Sequence, residues 1–334
     1  MPVDPQLQPL LDLLATSGAP SITSLQPEAA RALMAAMRGN AREVEVHTIA
    51  DHTAPGPAGD VPVRVYSPAG EGPFPLLVWI HGGGWVLGSV EESDPVARGL
   101  SVSADCVVAS IEYRLAPEHP FPAGLEDCWA ALRWCVDHAD DLRVDPDRLA
   151  IGGDSAGGNL AAACTVLARD AGGPPLRFQL LVYPVVDFDA TTRSMVDNAE
   201  GYLLTREVMQ WFYDHYTNPD QRNDPRAAPL RADDLSGLPP GPRHHRRVRP
   251  IAGRGRGLRP TSGRGRRPCD GDALRRHDPR VLLDDRLRRP RPRGRGGGRR
   301  GPPAGLRHRL TTPRTSAATR RGWRTGWPRA RGGR

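Results

Sequence analysis

Apolar residues recur along this chain with two different periods, and the switches between them mark the elements. Leu, Ala and Met fall at helical spacing over residues 5–14 and 27–37, each stretch with a proline near its start. This predicts two short amphipathic helices. Residues 43–49 and 61–66 alternate apolar with polar positions, as half-buried strands do. Residues 76–80 and 107–111 are unbroken apolar runs, the mark of strands buried on both faces. A helix is predicted at 124–138, with Leu125, Cys128, Trp129, Leu132 and Cys135 along one face. Residues 149–152 predict another buried strand, 156–169 an Ala-rich helix, and 179–183 a further strand. Strands alternating with helices imply an α/β fold with a mostly parallel sheet covered on both faces. The strand pattern stops between residues 186 and 230, where a capped helix with bulky apolar residues runs over 205–216. This insertion (about 187–230) and the N-terminal helices (1–40) are expected to form a helical cap on a core spanning 41–240.

Composition changes the picture after residue 240. The 334-residue chain has no lysine, and its net charge of +8 is a difference between two unlike parts. Residues 1–240 hold 16 arginines and 33 acidic residues, a net −17, whereas residues 241–334 hold 30 arginines and five aspartates, a net +25. The overall pI of about 9.8 therefore says nothing about partners of the first 240 residues. Leu, Ile, Val and Phe together number 10 in the last 94 residues, too few to build a core, so that stretch is expected to be disordered. The five cysteines (106, 128, 135, 164 and 269) have no metal-site spacing, and no metal or cofactor is expected. Residues 1–14 lack a secretory pattern and no 18-residue apolar run exists, which makes a cytoplasmic location without a membrane span the default expectation.

Two short stretches carry chemistry. In LAIGGDSAGGN (149–159) a buried strand runs into Gly-Asp-Ser-Ala-Gly and then a helix, with Gly153, Ser155 and Gly157 in the G-x-S-x-G places. A serine at so tight a turn needs small residues two positions either side. The turn aims its hydroxyl out of the sheet and sets the first helical amides, notably that of Ala156, beside it. HGGGW (81–85) follows the apolar strand at 76–80. Three consecutive glycines weaken helix and strand alike, but they let backbone N–H groups approach a ligand. His81 reads as a structural hydrogen-bonding residue rather than a base. Either motif alone has a bland reading as a flexible turn; about seventy residues apart and in this order, they support each other.

HGGGW, YRLAPEHPFPAGLED (113–127), VDPDRLAIGGDSAGGNLA (144–161) and LVYPVVD (181–187) together resemble the hormone-sensitive-lipase-like family of α/β-hydrolase esterases. The likeness covers roughly residues 40–240. It implies an eight-stranded core with a helical cap, and cofactor-free hydrolysis of carboxylic esters with short to medium acyl chains. By matched position it implies Ser155 as nucleophile and the amides of Gly83, Gly84 and Ala156 as the oxyanion hole. Gly82, Gly153 and Gly157 shape the two loops, and Asp154 supports the elbow by hydrogen bonding. An intact version is compatible with a homodimer, because the family's last strand often pairs across dimers.

The triad is where the pattern breaks. A serine hydroxyl needs a histidine to take its proton and a carboxylate to orient that histidine. In this family both follow the serine, the acid in a D-P-L-x-D-E stretch after a G-L-P-P turn and the histidine in H-G-F. The turn stands at 237–240, but neither stretch follows it, and no residue of this sequence is identifiable as triad acid or histidine. Asp270, Asp272, Asp278, Asp284, His277 and His308 have no strand pattern to bring them to Ser155, while Asp187 and His215 lie in the cap region. Regrouping the codons, with bases two and three of each joined to base one of the next, recovers what is missing. Residues 244–259 then permit I-T-A-E-Y-D-P-L-R-D-E-G-E-A-Y-A, and 275–283 permit D-G-M-I-H-G-F-F-S. The expectation is a one-base frame change near residues 239–241.

The rival class is a nucleic-acid-binding protein whose Arg/Gly-rich tail tracks phosphates. Against it, the tail offers only Trp323 and Trp327 for stacking and has no regular repeat. Any polycation of this charge binds nucleic acid non-specifically, so such binding would not by itself identify a function.

Overall fold

Two unbroken apolar runs lie side by side at the centre of the sheet, β3 (Phe74–Ile80) and β4 (Val107–Ile111), paired in parallel from Leu76 opposite Val107 to Ile80 opposite Ile111. The computed structural model describes residues 5–16, 18, 20–36 and 44–241. The tail, with the disorder and frame change expected of it, and Cys269 lie outside the described residues. The remaining strands are β1 (Thr48–Gly56), β2 (Gly59–Ser67), β5 (Val144–Asp154) and β6 (Phe178–Val182). Among the described residues the sheet has six strands in the order β1-β2-β4-β3-β5-β6, against the eight that the family resemblance implies. β1 and β2 form an antiparallel hairpin, β2 runs antiparallel to β4, and the other neighbours are parallel.

Alternation along each buried strand divides the core in two. Leu76, Val78 and Ile80, with Leu149 and Ile151, face the helices α4 (Ala123–Asp137) and α5 (Ala156–Asp170). Leu77, Trp79, Val108 and Ala150 face α3 (Val90–Ala104) on the opposite side. On α4 the expected face is buried: Leu125, Cys128, Leu132 and Cys135 are fully covered, and Trp129 packs against them half-buried. The four described cysteines are buried thiols, which burial pushes up in pKa, and none is in a disulfide.

Besides a longer β5, which starts at Val144 rather than 149, and the unpredicted short helix at Arg193–Asp197, the structure departs from the sequence reading at β1 and α3. The strand expected at 43–49 begins only at Thr48 and runs on to Gly56. The hairpin fixes this register. Pairing spreads outward from Gly56 opposite Gly59, and Thr48 meets Ser67, the last residue of β2. The helix α3 had no counterpart in the apolar pattern, because its buried side includes Ser93, Asp94 and Ser101 while Val96 and Val102 are exposed.

Four more α-helices are described outside the sheet and its covering helices. These elements are α1 (Gln8–Thr16), α2 (Pro27–Ala36), α6 (Arg193–Asp197) and α7 (Arg206–Tyr216). The Thr23 hydroxyl donates to Glu207 on α7 at 2.8 Å, which ties the N-terminal segment to the later insertion. Arg31 on α2 donates to the carbonyls of Val86 and Ala116 and pairs with Glu118, whose carboxyl is held down at about 2. No helix among the described residues is long and apolar enough to cross a membrane.

Candidate active site

β5 ends at Asp154 and α5 begins at Ala156, so Ser155 alone makes the turn. Its backbone sits at φ 53°, ψ −116°, a region a residue with a Cβ rarely occupies. The turn is held from both sides: the Ser155 amide donates to the Val182 carbonyl at 2.9 Å, and its own carbonyl accepts from Asn159 at 3.0 Å. Serine at a helix start usually turns its hydroxyl inward to cap the helix, but Ser155 makes no such bond. Among the described residues nothing hydrogen-bonds to that hydroxyl, and Ser155 is only half-buried.

The requirement for glycine is steric. A Cβ on Gly157 would run into the carbonyl oxygens of Ile80 and His81, and one on Gly153 into the Ile80 carbonyl and the Gly157 backbone. The elbow is therefore pressed onto the end of β3, where the HGGGW loop begins. Asp154 closes the joint, accepting from the Gly82 amide at 2.9 Å and from the Tyr183 hydroxyl at 3.3 Å. Burial raises its pKa, while the Gly82 N–H pulls the other way. Gly83 has φ 114°, and a side chain there would strike the Leu87 carbonyl. Gly84 lies under the ring of Phe212 from α7, so the insertion reaches the glycine loop directly.

His81 stands apart from the serine chemistry. It is fully buried, stacked on Tyr113 with ring centroids 4.4 Å apart, and its Nδ1 lies 2.7 Å from the Gly82 carbonyl. A carbonyl can only accept, so Nδ1 carries the proton, and among the described residues the buried Nε2 has no hydrogen-bond partner. Burial lowers the pKa to about 4, which keeps the ring neutral at pH 7. The Tyr113 hydroxyl donates to the His81 carbonyl at 3.1 Å, fixing the start of the loop from below.

Asn159 is the residue that motif reading passed over. It is fully buried; its amide donates to the carbonyls of Val185 (2.7 Å) and Ala227 (2.8 Å), and its oxygen accepts from the Trp85 indole at 3.2 Å. One side chain thus joins the glycine loop, the elbow helix, the exit from β6 and the end of the insertion. Trp85 in turn stacks flat on Tyr216 at 4.3 Å and lies near Phe188 and Tyr213. A lone Asn inside a Gly/Ala-rich helix has no periodic signature, although its place in GDSAGGN was a cue.

The other named residues do not join the site. Asp187 pairs with Arg231 at 2.8 Å and accepts from the Phe188 amide. His215 hydrogen-bonds to the Trp211 carbonyl of its own helix and packs on that indole. Asp270, Asp272, Asp278, Asp284, His277 and His308 lie outside the described residues. Among the described residues no three His, Cys, Asp or Glu side chains converge as a metal site would require.

A profile of the α/β-hydrolase fold matches residues 77–241. Carboxylic ester hydrolase LipN of Mycobacterium tuberculosis is 48% identical over 217 residues, covering 63% of this chain and 57% of that protein. Carboxylesterase NlhH of the same species is 48% identical over 186 residues, 54% of this chain and 58% of that protein. The chain thus spans less than two thirds of the length of these curated relatives. Among solved structures, an α/β-hydrolase enzyme from the metagenome of Lake Arreo, Spain, superposes with a TM-score of 0.68 at 41% identity, over 71% of this chain and 78% of that one. A hyperthermophilic esterase from Pyrobaculum calidifontis gives 0.67 at 39% identity, over 72% and 78%.

Proposed function

The chain belongs to the hormone-sensitive-lipase-like family of α/β-hydrolase esterases, and from that premise we propose that residues 41–240 carry the nucleophile and oxyanion hole of a carboxylic ester hydrolase. The observation that carries this is Ser155 itself, held at a strained turn with its hydroxyl spared from capping. Its Oγ attacks the ester carbonyl. The amides of Gly83, Gly84 and Ala156 stabilise the tetrahedral oxyanion, and collapse expels the alcohol and leaves an acyl-serine that water clears. Gly82, Gly153, Gly157 and Asp154 hold the two loops in register. The helical insertion and N-terminal helices form a lid, with Phe212 against the oxyanion glycine.

Proton transfer is the missing half. The acid and histidine belong after β6, where the written sequence turns to Arg, Gly and Pro while the shifted codons permit D-P-L-R-D-E and H-G-F. We therefore read residues 241–334 as an out-of-frame translation of the hydrolase's own last third. The nucleic-acid-binding alternative rests on the 30 arginines of that stretch. Native peptides spanning it discriminate, since an intact Arg/Gly peptide favours binding and a D-P-L-R-D-E peptide favours the enzyme. A chain with the frame restored should hydrolyse p-nitrophenyl butyrate. Ser155→Ala in it should lower kcat by roughly 10⁵-fold or more; turnover that survives the substitution would overturn Ser155 as nucleophile.

A further inference from the structure

Three consecutive residues of the glycine loop have positive φ: Gly83 at 114°, Gly84 at 62° and Trp85 at 62°. Glycine adopts that region freely, whereas a bulky side chain is strained there and persists only where its surroundings hold it. The turn so formed is closed by the Val86 and Leu87 amides, which both donate to the Gly83 carbonyl, at 3.2 and 2.8 Å.

What holds Trp85 comes from outside the loop. Its carbonyl accepts from the Ala116 amide at 2.9 Å, and its indole N–H donates to Asn159 on α5 at 3.2 Å. Its ring lies flat on Tyr216 of α7, with centroids 4.3 Å apart and planes within 1°. Phe188 and Tyr213 stand further out, at 5.8 and 6.3 Å. These three rings belong to the insertion, as does Phe212, which covers Gly84. Asn159 is tied to the same insertion through the Ala227 carbonyl at 2.8 Å. Tyr216 is itself fixed, its carbonyl accepting from the Phe121 amide at 2.8 Å. Its buried hydroxyl has no hydrogen-bond partner among the described residues, so what Tyr216 gives Trp85 is the face of its ring.

We propose that Trp85 is a positioning residue, through which the seated insertion keeps residues 83–85 in the left-handed turn that presents the Gly83 and Gly84 amides to the oxyanion. The lid thus completes the hole as well as covering it. With the insertion lifted, the indole loses its stack and the strained turn relaxes. The catalytic meaning rests on the oxyanion hole proposed above; the dependence of the loop on the insertion rests on the contacts of Trp85.

The test reads amide hydrogen exchange in the full written chain. Tyr216→Leu removes the stack and Trp85→Phe removes the indole N–H. Each should speed exchange of the Val86 and Leu87 amides by roughly tenfold more than that of Val78 and Trp79 in β3. Tyr216→Phe keeps the ring and should exchange as the parent does. Unchanged exchange at 86 and 87 in both variants overturns the proposal. So does equal acceleration in loop and strand, which would mean general destabilisation. In a frame-restored chain, Tyr216→Leu and Trp85→Phe should lower kcat for p-nitrophenyl butyrate about a hundredfold while KM stays within about threefold. A raised KM at unchanged kcat would make these residues walls of the substrate pocket and overturn the positioning role. A frame-restored parent without activity would sink the functional reading, and exchange in the written chain would still decide whether the insertion sets the loop.

Discussion

At the scale of single residues, the site is held by groups that tolerate no substitute. Asn159 has both amide hydrogens and its oxygen engaged inside the protein. Asn159→Ala leaves two carbonyls and an indole N–H stranded in the core, and should cost about 2–4 kcal/mol in denaturant unfolding. Gly157→Ala drives a methyl group into the carbonyls of Ile80 and His81 and should cost at least about 3 kcal/mol, with loss of soluble protein as the simplest readout. His81 predicts a pH dependence. Its folded pKa, lowered by burial to about 4, lies below the ordinary histidine value of about 6.5, so the unfolded chain binds more protons between those values. Stability from this residue is complete above pH 6.5 and falls as pH drops toward 4, by about 3 kcal/mol in all. Asp154, with its raised pKa, works in the opposite sense. The informative measurement is therefore the difference between the parent and His81→Gln across that range, and parallel curves would contradict the assignment. The tight turn at Ser155 and the close packing of its glycines were legible because these residue types at fixed spacing admit few other backbone geometries. Asn159, Tyr113 and Phe212 were not, because their roles depend on partners 26 to 128 positions away in sequence.

At the scale of elements, legibility followed burial. β3, β4, α4 and α5 could be read from the sequence because their buried positions are apolar and periodic. α3 could not, because polar partners satisfy its buried side: Asp94 accepts from the Tyr66 hydroxyl at 2.9 Å, and Ser93 from the Trp79 indole at 2.9 Å. No apolar stripe is needed where cross-element hydrogen bonds do the joining. What starts this helix is Ser89, whose hydroxyl accepts from the Glu92 amide at 3.1 Å, followed by Glu91 and Glu92 in the first turn. Ser89→Ala should destabilise the protein by about 1 kcal/mol in denaturant titration. No measurable change would mean that packing alone fixes the start of α3.

At the scale of the whole molecule, the first 240 residues and the last 94 obey different rules. Through Gly241, periodicity, turn chemistry, packing and motif spacing agree with one another, which is what a sequence shaped to one fold displays. Beyond it the composition offers no core, with only 10 Leu, Ile, Val and Phe among the last 94 residues. The proposed nucleophile, Ser155, and the glycine loop pack directly against each other, with the acid and histidine placed out of frame by the reading proposed above. The direct measurement is p-nitrophenyl butyrate turnover by the written chain and by a frame-restored chain, side by side at equal concentration of folded protein. The account predicts turnover by the restored chain and none above background by the written one, and comparable rates from the two would contradict it.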